Sequence, residues 1–178
     1  FATFAIGTMA LVGVPLFFSG FWSKEAILHA AHGWHVSHIP FYVALLGVVL
    51  TAFYNTRLVS EVFFGHGRSH SADHAHENAS VMTTPLAILA FFAIALGFLG
   101  TPAYPWFQAQ LIGESTVHGH SIFDGIGLMA LSIILVAIGV GAGFALYGRK
   151  TRTSATARDP LEQALPRVFA ALAARLGF

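Results

Sequence analysis

Lys24 is an ionisable residue inside apolar sequence. It stands in the run Pro15-Leu-Phe-Phe-Ser-Gly-Phe-Trp-Ser-Lys24-Glu25-Ala-Ile-Leu28, with membrane-compatible sequence from Thr3 ahead of it and from Ala26 to Trp34 behind. A lysine at bilayer depth costs roughly 2.5–3.5 kcal/mol on insertion scales, so it persists where a partner, a water-filled cavity or a function compensates. Burial penalises its charged form, and such a lysine can exchange its proton with neighbours as its surroundings change. A rival reading has Lys24 snorkel from a helix end to the interface. The apolar residues continuing to Trp34 argue against that. Glu25 is adjacent, but successive helix residues point about 100° apart, which makes it a poor partner for Lys24. It is expected to face a break in the helix or an adjoining chain.

The other titratable residues carry weaker signals. Arg57 and Glu61 stand at i,i+4 and can pair along one helix face; their structural reading is an ion pair near the membrane edge. Alternatively they are steps in a polar file through a bundle, where an always-protonated guanidinium acts as an electrostatic fixture and Glu61 titrates. His29, His32 and His35 recur at i,i+3 after the lysine, followed by His38. His66, His70, His74 and His76 crowd a polar stretch with Asp73 and Glu77. Neither group contains a cysteine, so a solvated loop is favoured over zinc for the second group. Imidazole titrates near neutral pH, and His29 and His32, nearest Lys24, are the candidates for proton transfer beside it. Asp124 reads as an N-terminal helix residue favoured by the macrodipole. No paired carboxylates, Ser/His constellation, nucleotide-binding turn or metal set points to catalysis or a cofactor in this chain.

Those side chains need a frame, and composition supplies its class. Of 178 residues, 56% are hydrophobic and 10% charged, against about 25% charged in soluble domains; mean hydropathy is +0.70. The expected fold is an all-α membrane protein, a bundle of about four transmembrane segments. The first, about Thr3 to Trp34, exceeds the roughly 20 residues a spanning helix needs. Pro15, Ser19 and Gly20 predict its break into two half-helices, the device by which ion carriers build sites at the midplane. The others are about Phe41 to Phe64, Val81 to Leu99 and Ile122 to Tyr147. Gly139, Gly141 and Gly143 in the last allow close helix approach. Tyr104 and Trp106 look like interfacial anchors, on a loop that can hold a short helix at 106–111. Residues 1–148 form the membrane part; 149–178 are a basic linker and the start of an amphipathic surface helix, with Leu161, Leu165, Val168, Phe169, Leu172 and Leu176 at helical spacing. The chain opens on Phe1 in apolar sequence, as a fragment of a longer chain would. It has no cysteine, and no basic patch suggests nucleic acid.

Loop charge predicts orientation. With four crossings, Gly65–Ser80 and the tail after Gly148 share a side. They carry Arg68 and every Lys and Arg beyond Gly148, whereas Gly33–Pro40 and Pro102–Ser121 carry none. The positive-inside rule puts loop 65–80 and tail 149–178 in the cytoplasm.

At Phe17-Phe-Ser-Gly-Phe-Trp-Ser-Lys24-Glu25-Ala-Ile-Leu28 and Thr51-Ala-Phe-Tyr-Asn-Thr-Arg57-Leu58 the chain resembles the C-terminal part of the antiporter-like L subunit (mitochondrial subunit 5) of respiratory complex I, the proton-pumping NADH-quinone oxidoreductase. Phe4-Ala-Ile-Gly-Thr-Met-Ala-Leu-Val-Gly-Val-Pro15, Phe63-Phe-Gly65 and Met82-Thr-Thr-Pro85-Leu86 extend the likeness. The resemblance implies that Lys24 belongs to a central chain of ionisable residues, that Arg57 matches the family's arginine in the following helix, and that the tail approaches a long lateral helix. It gives Glu61 and the histidine loop no role. It further implies proton translocation coupled to quinone reduction elsewhere, other membrane-arm subunits of a multisubunit respiratory complex as partners, redox cofactors handled by other subunits, and a bacterial inner membrane. Two rivals remain: the large subunit of a multisubunit cation/proton antiporter or membrane-bound hydrogenase, which shares the motif, and a structural module whose charges only staple helices.

Overall fold

A computed structural model describes residues 1–15, 17–64, 74, 79–99, 110, 126–148 and 159–176. The described residues are helical, without strands: α1 Ala2–Val12, α2 Ser19–His32, α3 Ile39–Phe63, α4 Ser80–Leu99, α5 Ile126–Gly143 running into a π-helical turn Phe144–Gly148, α6 Pro160–Ala164 and α7 Pro166–Leu176. The all-α membrane bundle expected from composition stands. Three helices, Ile39–Phe63, Ser80–Leu99 and Ile126–Gly148, are long and apolar enough to cross a membrane. Their outer faces carry exposed Val43, Leu46, Leu50, Leu89, Phe91 and Ile138, which lipid or neighbouring helices can cover but water would not favour. The histidine loop apart from the exposed His74, the loop holding Tyr104 and Trp106, Asp124 and the basic linker 149–158 lie outside the described residues.

The predicted break in the first segment is real but sits earlier than expected. α1 ends at Val12 and α2 begins at Ser19, so Ser19 and Gly20 lie inside the second half-helix. Gly13 makes the stop, with φ 80° in the left-handed region that glycine enters at no steric cost. At about 1.5 Å per residue, α1 and α2 each cover only part of a bilayer, and together they approach one crossing. Gly20 has another task. A Cβ there would lie 1.9 Å from the Ala10 carbonyl oxygen, so α1 and α2 cross backbone to backbone. The unwound link packs the same way on α4, where a Cβ at Gly97 would meet the Phe17 oxygen at 2.5 Å.

α3 and α5 form the most extensive pairing, and glycine again sets its distance. A Cβ on Gly139 would lie 2.6 Å from the Val49 oxygen, and one on Gly143 would lie 2.8 Å from Thr56 Cβ, whereas Gly141 faces open space. Gly139→Ala is therefore expected to lower thermal stability by about 1–3 kcal/mol, and Gly141→Ala to change it by less than about 0.5 kcal/mol, read by thermal unfolding in lipid nanodiscs. The rising register of both helices (Val49 with Gly139, Thr56 with Gly143) makes them parallel. Phe63 and Gly148 consequently lie at one end of the bundle, as the crossing count predicts. Val12, Leu28, Phe41, Val48, Ala52 and Val136 form the common core.

The tail departs from the single helix expected over 160–178. It breaks at Leu165, ahead of Pro166, into α6 and α7. Proline lacks the N–H that would continue α6 and starts a helix well at its first position.

Candidate functional site at the helix break

A helix end leaves its last four carbonyls without partners inside the helix. In α1 those are Met9, Ala10, Leu11 and Val12. The Gly13 N–H reaches the Met9 and Ala10 oxygens at 3.0 and 3.2 Å, and the Val14 N–H reaches Met9 at 3.0 Å. The other two carbonyls are taken by Lys24: its Nζ donates to Leu11 O at 2.6 Å and to Val12 O at 2.8 Å. The lysine thus caps the half-helix, with its positive charge at the negative end of the α1 dipole. Its stem passes through the space a Cβ on Gly13 would contest, Cδ lying 3.2 Å away. Gly13 is required both for its φ and for this passage.

Depth follows from the neighbours. Lys24 lines a cleft of about 140 Å³ with Ile27, Leu28, Ala44, Gly47, Val48 and Thr51. Thr51 is the middle residue of α3. The half-buried Lys24 therefore lies beside the middle turns of α3, a helix long enough to span, and away from both of its ends. An ammonium has three donors and the neutral amine two. Either protonation state can serve both carbonyls, so a proton can leave Nζ without unmaking the helix break.

Glu25 turns toward α5 and not into the break. It accepts a hydrogen bond from Ser132 Oγ on α5. Turning about 100° per residue sends adjacent side chains to different helices, Lys24 to α1 and Glu25 to α5. Removing the hydroxyl strands a half-buried carboxylate. Ser132→Ala is expected to cost about 1–3 kcal/mol, and much less in a Glu25→Gln background, as a double-mutant cycle of thermal stabilities would show.

His29 and His32 lie exposed in the last turn of α2. His29 is within electrostatic reach of Glu25, and the His32 ring lies 5.0 Å from that of Phe41 near the start of α3. They are thus displaced from Lys24 toward the 33–38 turn. No group of three metal-ligating side chains gathers among the described residues.

Arg57 is elsewhere, nearer the opposite end of α3. Its guanidinium pairs with Asp159, just ahead of α6, and lies 5.2 Å over the Tyr147 ring. Glu61 is half-buried one turn further on. Asp159, Tyr147 and Ser132 were not marked by sequence. Asp159-Pro160 carries a readable helix-start signature, but nothing local announces its partner 102 residues away.

These features define a class: a polytopic helical membrane protein with a lysine caged at mid-depth on a discontinuous helix. In sequence the chain is 35% identical over 153 residues to NADH-quinone oxidoreductase subunit L of Mycobacterium tuberculosis, covering 83% of this chain and 24% of the relative. It is 34% identical over 168 residues to the chloroplastic NAD(P)H-quinone oxidoreductase subunit 5 of Chaetosphaeridium globosum, with 85% and 24% covered. Against the F(420)H(2) dehydrogenase subunit L of Methanosarcina mazei it is 33% identical over 175 residues, 97% of this chain and 23% of the relative. The chain is a homologue of subunit L (chain 5) of the NADH-quinone oxidoreductases, as the motif around Lys24 suggests. It spans about a quarter of the length of the curated relatives it matches. No protein-family model matches it.

Proposed function

We propose that this chain is the C-terminal part of a proton-translocating membrane-arm subunit of an NADH-quinone oxidoreductase. The observation that carries this reading is Lys24, caged at mid-span by two carbonyls of a broken helix in a geometry that tolerates loss of a proton. Quinone reduction elsewhere in the complex would change the hydration and charge of the cleft beside Lys24. The amine would give up a proton and later regain one. Moving that charge against the membrane potential requires about 2.3 kcal/mol per 100 mV, which a pKa change of a few units at about 1.4 kcal/mol each can supply. Glu25, His29 and His32 follow along α2 toward the end opposite the tail. With loop 65–80 and the tail on the cytoplasmic side of a bacterial inner membrane, that direction is outward, the side of release.

Flavin, clusters, NADH and quinone would belong to partner subunits. Kinship with an F(420)H(2) dehydrogenase subunit supports a second reading, in which the same module serves a complex with a different electron donor; the subunits that co-purify decide between the two. The function itself is tested in membrane vesicles of the assembled complex carrying Lys24→Met, with quinone reduction and proton uptake followed together. Electron transfer without uptake supports translocation through Lys24, and unchanged uptake refutes it.

A further inference from the structure

Asp159 holds partners on three sides, and it lies outside the site at the break. One oxygen, Oδ1, accepts from the Tyr147 hydroxyl at 2.6 Å and from the Leu161 N–H at 2.9 Å. The other, Oδ2, takes the Arg57 guanidinium. Three elements therefore meet on one side chain: α3, the π-turn after α5, and α6. Tyr147 is fully buried, its ring set edge-on to Phe53 at 6.2 Å. Extra residues in a π-turn shift side chains round the helix, and here the turn Phe144–Gly148 aims Tyr147 at α3.

Helix packing in the tail is local among the described residues. α6 packs on the π-turn and on α7, and α7 makes no comparable packing with the spanning helices; Leu165 and Val168 are half exposed. We propose that Asp159 is a latch that clips the C-terminal helix pair to the membrane-spanning bundle, and that Arg57 is the anchor of this latch and not a charge in the proton path. The latch sets where the tail begins, at the level of the last turn of the fourth span. Opening it frees α6 and α7 while leaving the core around Leu28, Val48 and Val136 intact. The assignment is independent of the role of Lys24.

Hydrogen exchange with mass spectrometry on the full-length protein in its assembled complex separates the latch from a local helix cap. Arg57→Gln leaves the Asp159–Leu161 hydrogen bond available. It is expected to speed exchange of the 160–176 amides by about tenfold or more, with α5 and the central turns of α3 unchanged. Tyr147→Phe should give a smaller acceleration in the same segment, and Arg57→Lys should restore part of the protection. Lys24→Met should leave the tail as it is. Tail exchange unmoved in Arg57→Gln would overturn the proposal, since the cap then suffices. Equal loss of protection in α3 and α5 would also overturn it, because the cluster would then be supporting the bundle.

Discussion

Lys24→Met is expected to cut proton translocation by about tenfold or more while the complex still assembles and reduces quinone, because methionine fills a similar volume and carries no proton. The structural cost is separable from the functional one. Methionine leaves the Leu11 and Val12 oxygens without the donors at 2.6 and 2.8 Å, a penalty of about 1–3 kcal/mol for stranded polar groups. That loss should appear as a lower melting temperature of the subunit. Paired measurements of quinone reduction and vesicle acidification in one preparation check the functional half. If uptake per quinone reduced stays at the native value, Lys24 is a cap and nothing more, and the structural-module reading takes over.

The second large effect concerns a residue with no side chain. Gly20→Ala is expected to abolish stable assembly, or to leave a complex whose pumping is as impaired as that of Lys24→Met. The introduced Cβ would sit 1.9 Å from the Ala10 oxygen and 2.9 Å from its carbonyl carbon, both backbone atoms. No rotamer relieves that, so the half-helices must move apart. Overpacking usually costs about 1–3 kcal/mol and more where backbone must shift. Ala10 adjoins the Leu11 carbonyl, and Lys24 is one turn from Gly20, so separation at the crossing also pulls the ammonium from its acceptors. Gly7→Ala on the same half-helix is the control, with open space around it, and should assemble normally. Subunit content of purified membranes, followed by pumping in whatever assembles, measures both variants.

Much of this was legible from residue order because bilayers constrain sequences strongly. Runs of apolar residues long enough to span predicted α3, α4 and the fourth span closely, since backbone groups in lipid leave few alternatives to a helix. The charge of Lys24 inside such a run marks the site, and Pro15 and the glycines mark a break nearby. Pro15 does fall in the link between the half-helices, whereas Ser19 and Gly20 lie within α2. The deciding property was the left-handed φ of Gly13, whereas Gly20 serves close packing.

Partnership was the part that residue order could not supply. Glu25 with Ser132 and Arg57 with Asp159 join residues 107 and 102 positions apart, and each pair depends on how helices cross. Order along the chain determined the class of protein, the spans and the one lysine whose burial demands compensation, because hydropathy and charge act locally and are paid in the membrane whatever the packing. Only the tertiary structure decided what compensates that lysine and what holds the tail. Hydrogen bonds operate over about 3 Å, and that proximity is created by the crossings at Gly20, Gly97 and Gly139 rather than by neighbouring residues.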